Sequence, residues 1–154
     1  MLHRLRRIVS ADGGAAAVEM ALVLPFLMVT LMGIIEFGRV LYSHQVITSA
    51  AREASRASAT DFEPYTDAAN RLLGPAGIPS PTASCETSPS IGYTSICQTI
   101  VTIPVGTTTA QAYQVTISYN IPYMTPLGAL LEMFAGESTW GEGITITSTA
   151  VMRE

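Results

Sequence analysis

The sequence contains no lysine and only eight arginines, so it lacks the dense cationic surface that neutralises the phosphates of a nucleic acid. Charged residues of both signs make up only 13% of the 154 residues, and the formal net charge is −4. Histidine and cysteine occur twice each, with neither HExxH nor CxxC spacing, which excludes the usual zinc sites. A GxSxG elbow and a Walker-type glycine loop are also missing, and with them the common hydrolase and P-loop chemistries. The chain therefore reads as a non-enzyme with no cofactor, metal or nucleic-acid partner. What it has in excess is apolar surface. Hydrophobic residues are 48% of the total, and the mean hydropathy of +0.35 is high for 16.3 kDa. A membrane segment attached to one small domain is the first expectation.

That segment is easily found. Met20 to Ile35 is free of charge, and extending it back to Ala15 adds a single carboxylate, Glu19. About twenty helical residues, at about 1.5 Å each, cover the roughly 30 Å hydrocarbon core of a bilayer. A core helix of a soluble domain rarely needs so long an unbroken run. The head of the chain carries Arg4, Arg6 and Arg7 against one acid, Asp12, whereas everything after residue 14 holds five arginines against eleven acids. The positive-inside bias then places residue 1 in the cytoplasm and the chain after about residue 40 outside. A cleaved secretory signal is disfavoured, because the run ends in Ile34, Ile35, Glu36 and Phe37 and offers no small-residue cleavage site. Two residues in this segment stand out. An ionised Glu19 costs roughly 3 kcal/mol at membrane depth unless it snorkels or finds a partner. Pro25 removes a backbone donor and is expected to bend or loosen the helix.

Gly13-Gly14-Ala15-Ala16-Ala17-Val18-Glu19, followed by Met-Ala-Leu-Val-Leu-Pro, resembles the processing site and N-terminal helix of type IV pilin-like proteins. The closest resemblance is to the TadE-like family, minor pilins or pseudopilins of the tight-adherence (Flp) pilus apparatus. It continues through Glu36-Phe37-Gly38-Arg39 and Ala50-Ala51-Arg52-Glu53-Ala54-Ser55-Arg56. Two positions depart from the family pattern: Ala54 stands where a glycine is common, and Met20 where a phenylalanine is usual. The resemblance implies that a prepilin peptidase cuts after Gly14, making residues 1–14 a leader and Ala15 the new N-terminus. It also implies other pilins as partners through the N-terminal helix, an inner-membrane assembly platform, a single-pass inner-membrane location and a route into an extracellular pilus. Physics gives the spacing a purpose. Glu19 lies four residues along a helix from the new Ala15 ammonium, within reach of that group on a neighbouring subunit. A membrane charge thereby becomes an assembly contact that favours the correct register.

The helical period continues past the apolar run through Phe37, Val40, Leu41, Ile47, Ala50, Ala51 and Ala54. One helix over residues 15–60 is expected, with residues 15–36 as its transmembrane half and the rest as a spine for a globular region. The alanine stripe is expected to pack on the molecule's own sheet, with subunit contact as the alternative. His44 reads as a solvated or interfacial side chain. Residues 61–97 form a Pro/Ser/Thr-rich connector with a short helix from about Tyr65 to Leu73, ended by Gly74-Pro75. Asp61, Glu63 and Asp67 lack the DxDxDG spacing of a calcium loop and read as a solvated turn. Cys85 and Cys97 fall on the outer side, where an oxidising compartment favours a disulfide over two free thiols.

From Gln98 to the end the period changes to two. Residues 99–103, 113–119 and 143–151 alternate β-branched residues with Thr and Ser, which describes antiparallel strands with one wet face. Pro104-Val105-Gly106 marks the first turn. Between the last two strands, Met124 to Gly136 reads as a short amphipathic helix or an apolar loop, whose Leu130, Leu131, Met133 and Phe134 close the core or form a binding patch. Trp140 reads as a packed anchor, and nothing brings Glu132, Glu137 and Glu142 together for acid/base work. The expected fold is α+β and pilin-like: a long N-terminal transmembrane helix on a small antiparallel sheet covering residues 98–154. The resemblance implies a structural role as a minor pilin. The rival reading is an uncleaved, membrane-anchored module whose outer sheet recognises a surface or envelope component.

Overall fold

A computed structural model of the chain describes residues 11–105, 108–126, 129 and 143–153. The elements run α1 (Ala11–Thr60), α2 (Tyr65–Leu73), a 3₁₀ turn (Gly74–Ala76), β1 (Thr82–Ala83), β2 (Thr94–Val105), β3 (Thr108–Ile121) and β4 (Ile144–Arg153). The chain divides into two compact units, Met1–Ile35 and Glu36–Glu154.

In the first unit, residues 14–31 are exposed along the whole circumference of the helix. Val18, Met20, Leu22, Phe26 and Leu27 each keep more than 60% of their surface open. No polar stripe alternates with them, so this stretch lacks the two-faced pattern that would let it lie on a soluble core. Pro25 stands within the continuous helix. One turn later the Thr30 hydroxyl donates back to the Phe26 carbonyl at 2.8 Å, which satisfies a polar side chain without any partner outside the helix.

The second unit is built on the Glu36–Thr60 part of α1. Ile47, Ala50, Ala51 and Ala54 are fully buried there, spaced so that they share one helical face. Because three of the four are alanines, the helix axis can approach the sheet closely. The sheet answers with Ile96, Val115, Ile117, Tyr119, Ile121 and Ile146 in the same cluster, and Ala69, Leu73 and Ile78 close it from the side of α2. The alanine stripe thus serves the protein's own core. Phe37 and Leu41, which share the apolar period, remain exposed instead. Asp61 ends α1 in the left-handed region at φ 49°, a conformation that a short polar side chain tolerates. The following helix, α2, occupies Tyr65–Leu73, matching the sequence expectation.

The sheet order is β1-β2-β3-β4. β2 and β3 pair antiparallel from Thr94↔Tyr119 to Val105↔Thr108, and β3 and β4 pair antiparallel from Ala112↔Arg153 to Ile121↔Ile144. These are the three strands legible in the sequence: β2 and β3 extend beyond the expected ranges at both ends, so that Pro104 and Val105, expected in the first turn, pair with Thr109 and Thr108, while β4 starts one residue later and runs two residues further. The addition is β1, two residues pairing parallel with β2 at Ser95 and Ile96, which makes the sheet mixed. Nothing in a Thr-Ala dipeptide announces a strand, since tertiary pairing alone creates it. Alternation along β3 sends Val115, Ile117, Tyr119 and Ile121 into the core. On the opposite face, hydroxyl pairs Thr116 with Thr149 and Ser118 with Thr147 stand across neighbouring strands at 3.0 Å each.

Cys85 and Cys97 form a disulfide spanning 12 residues. It ties the chain leaving β1 to the first half of β2. Gly143, at φ 96°, opens β4, and a Cβ there would stand 2.6 Å from the Ile121 carbonyl oxygen, so the backbone approach requires glycine. Residues 1–10 of the expected 1–14 leader, Gly106 of the expected first turn, Leu130, Leu131, Met133, Phe134, Trp140 and the carboxylates Glu132, Glu137 and Glu142 lie outside the described residues.

Candidate functional site

Two places in the structure carry polar chemistry that the fold itself does not need elsewhere. The first is the start of α1. Gly14, Ala15 and Glu19 are helical and exposed, and a Cβ built on Gly14 would meet nothing within 4 Å. A side chain at position 14 would thus meet open space, and the Gly14–Ala15 bond lies within the continuous helix α1. Glu19 lies one helical turn beyond Ala15, on a helix surface otherwise made of Ala, Val, Leu and Met. A carboxylate in such surroundings is stabilised only by a cation of its own environment.

The second place is where α1 enters the second unit. Glu36 is 3% exposed, the deepest charged residue among those described. Its Oε1 accepts the backbone N–H groups of Met124 at 2.8 Å and Thr125 at 2.7 Å. Its Oε2 accepts from the Arg39 guanidinium at 3.2 Å, one helical turn on. The same Arg39 nitrogen also donates to the Pro122 carbonyl at 3.2 Å. Both side chains thus hold the stretch that leaves β3. Burial alone would push the Glu36 carboxyl up. The N–H groups of Thr125 and Met124 and the positive Arg39 outweigh it, leaving the carboxyl below its ordinary value. Burial pushes the nearby Tyr119 hydroxyl up, partly opposed by Arg39. Tyr123 is pushed up as well, by burial and by the charge on Glu36.

The structure brings Cys85 and Cys97 together as a disulfide. His44 is exposed. Of the three acids weighed for calcium, Glu63 pairs with Arg71 and Asp61 closes α1. Among the described residues no group of three or more His, Cys, Asp or Glu could hold a metal ion. The Glu36 clasp was the feature least visible in the sequence. A glutamate and an arginine three apart at the end of an apolar run was its only signal, and their joint partner lies more than eighty residues away.

The α1 helix is long and apolar enough to cross a membrane. Residues 14–56 match the family model described as TadE-like protein, a family associated with the Tad pilus. The matched stretch begins at the open Gly14, contains both Glu19 and the Glu36–Arg39 pair, and ends inside the alanine face of α1. No curated protein and no solved structure matches the chain.

Proposed function

We propose that this chain is a minor pilin or pseudopilin of a Tad (Flp) type IV pilus. In this reading a prepilin peptidase hydrolyses the Gly14–Ala15 bond, residues 15–36 anchor the product in the inner membrane, and the chain beyond them lies outside the cytoplasm. The observation that carries the proposal is the position of the TadE-like match, which starts at Gly14 and covers the apolar helix. The exposed side chains of that helix support it further, since a helix apolar on all sides needs lipid or other helices around it.

The chemistry follows from the spacing. Hydrolysis removes the basic leader and creates an α-ammonium on Ala15, whose unperturbed pKa is about 7.7 to 8.0. Glu19 of one subunit then meets the Ala15 ammonium of the next, and the pair neutralises two charges that hydrocarbon would otherwise penalise. Misregistered helices leave both charges alone, so the pairing selects the packing register. The partners in this scheme are the peptidase, other pilins and the assembly platform of the inner membrane.

Intact mass of protein extracted from membranes tests the processing step. Loss of residues 1–14 is expected. A retained leader in cells with an active prepilin peptidase favours the uncleaved, tethered module instead. Glu19→Ala should insert into the membrane normally and enter pili poorly, and wild-type incorporation of that variant rejects the pairing.

A further inference from the structure

We propose that the turn Pro122–Pro126, held against α1 by Glu36, is a lipid-contact surface that seats the second unit on the headgroup layer of the bilayer. The inference rests on the membrane-spanning reading given above. Glu36 follows Ile35, the last residue of the apolar run, by one peptide bond. Its carboxylate holds the N–H groups of Met124 and Thr125 at 2.8 and 2.7 Å. The apolar run that fills the hydrocarbon in that reading therefore ends one peptide bond before the residue whose carboxylate binds this turn.

The turn carries the side chains that such a layer accepts. Met124 is 74% exposed and Phe37, one residue after Glu36, is 71% exposed. Tyr123 beside them is half-buried and combines an apolar ring with a polar tip, the combination enriched at membrane interfaces. Pro122 and Pro126 bracket the turn and restrict its backbone. Glu36 satisfies two of its N–H groups internally, so the turn approaches an apolar layer without carrying those donors into it. A second copy of the chain is the weaker occupant. One methionine and one phenylalanine fall far short of the roughly 1,000 Å² that a stable protein interface buries, whereas Phe37 follows the apolar run directly after Glu36 and Met124 is tied to that same Glu36 by its backbone N–H.

The test uses the full chain in phosphatidylcholine vesicles, with Trp140→Phe removing the one native tryptophan. Single tryptophans are then placed by Met124→Trp, by Phe26→Trp within the span, and by Ile100→Trp. Ile100 pairs with Tyr113 on β3, so it lies roughly 30 Å along the strand from the turn. Phosphatidylcholine brominated near the glycerol should quench Met124→Trp strongly, and lipid brominated deep in the chain should quench Phe26→Trp. Ile100→Trp should keep its emission in both. Adding Glu36→Gln to Met124→Trp should weaken the shallow quenching by loosening the turn. Deep quenching at position 26 with none at 124 overturns the proposal while leaving the span intact. Emission at 124 that shifts with protein-to-lipid ratio but ignores bromine also overturns it, in favour of a second copy. Absence of quenching at position 26 overturns the span itself, and the lipid contact with it.

Discussion

Glu36 and Thr125 are 89 residues apart in the chain, yet the carboxylate of one accepts the backbone N–H of the other at 2.7 Å. That bond, the one from Met124 and the ion pair with Arg39 converge on a single buried carboxylate. They join the helix matched by the TadE-like family to the segment leaving β3, and so link the part of the chain that the family describes to the part it does not.

Removing the carboxylate should loosen this junction. Glu36→Ala leaves two N–H groups without their acceptor and Arg39 with only the Pro122 carbonyl, and should destabilise the second unit by about 3 kcal/mol, since hydrogen bonds to a buried charge are worth about 1.5 to 3 kcal/mol each and are not additive. Glu36→Gln keeps the shape and one acceptor and should cost about half as much. Urea unfolding of the full chain in detergent, followed by near-UV circular dichroism, measures both. Two variants as stable as wild type would show that the clasp contributes nothing.

The same carboxylate predicts an acid limb. Its folded-state pKa is depressed below the ordinary 4.5, so its contribution is complete above that value and is lost as the pH falls through the folded pKa. The stability gap between wild type and Glu36→Gln should therefore be flat from neutral pH down to about pH 5 and should shrink below that. A gap that widened on acidification would contradict the assignment. On the alkaline side Tyr119 behaves oppositely. Its raised pKa contributes stability that is full below about pH 10 and lost as the pH rises through the folded value. Tyrosinate absorbance should show a late-titrating group that Tyr119→Phe removes.

Ala51 is fully buried on the helix face that meets the sheet. Ala51→Leu inserts three carbons where the helix has no room to retreat, and should cost about 1 to 3 kcal/mol. Arg52 next to it is exposed, and Arg52→Leu should change stability by about 0.5 kcal/mol or less. Thermal unfolding of the pair decides whether the stripe packs internally. Equal effects would return the stripe to subunit contact.

The disulfide between Cys85 and Cys97 closes a 12-residue separation. In the chain-entropy account a loop of that size is worth about 3 kcal/mol. Protein from an oxidising preparation should show no titratable thiol before reduction. The double variant Cys85→Ser, Cys97→Ser should unfold at lower urea, with the same folded-state far-UV spectrum.

The apolar run, α2 and three strands were legible in the sequence because each is a local pattern. Sixteen uncharged residues, a Pro-bounded short helix and alternation of period two all report through near neighbours. The two residues of β1 carry no such signal and exist only because Ser95 and Ile96 offer them a ladder. Phe37 and Leu41 shared the period of the buried face, yet stay exposed, since periodicity marks a face without saying whether anything covers it.

What the sequence alone determined is the length and greasiness of the apolar run, together with the positions of Glu19, the one acid in it, and of Gly14 just before it. These are properties of consecutive residues, and helix geometry turns them directly into spacing along an axis. Only the tertiary structure decided that Glu36 is a buried acceptor rather than a flanking charge, and that the alanine face meets the protein's own sheet. Both depend on which distant strand arrives at the helix, and hydrogen bonds and packing between residues so far apart in the chain leave no mark on either local pattern.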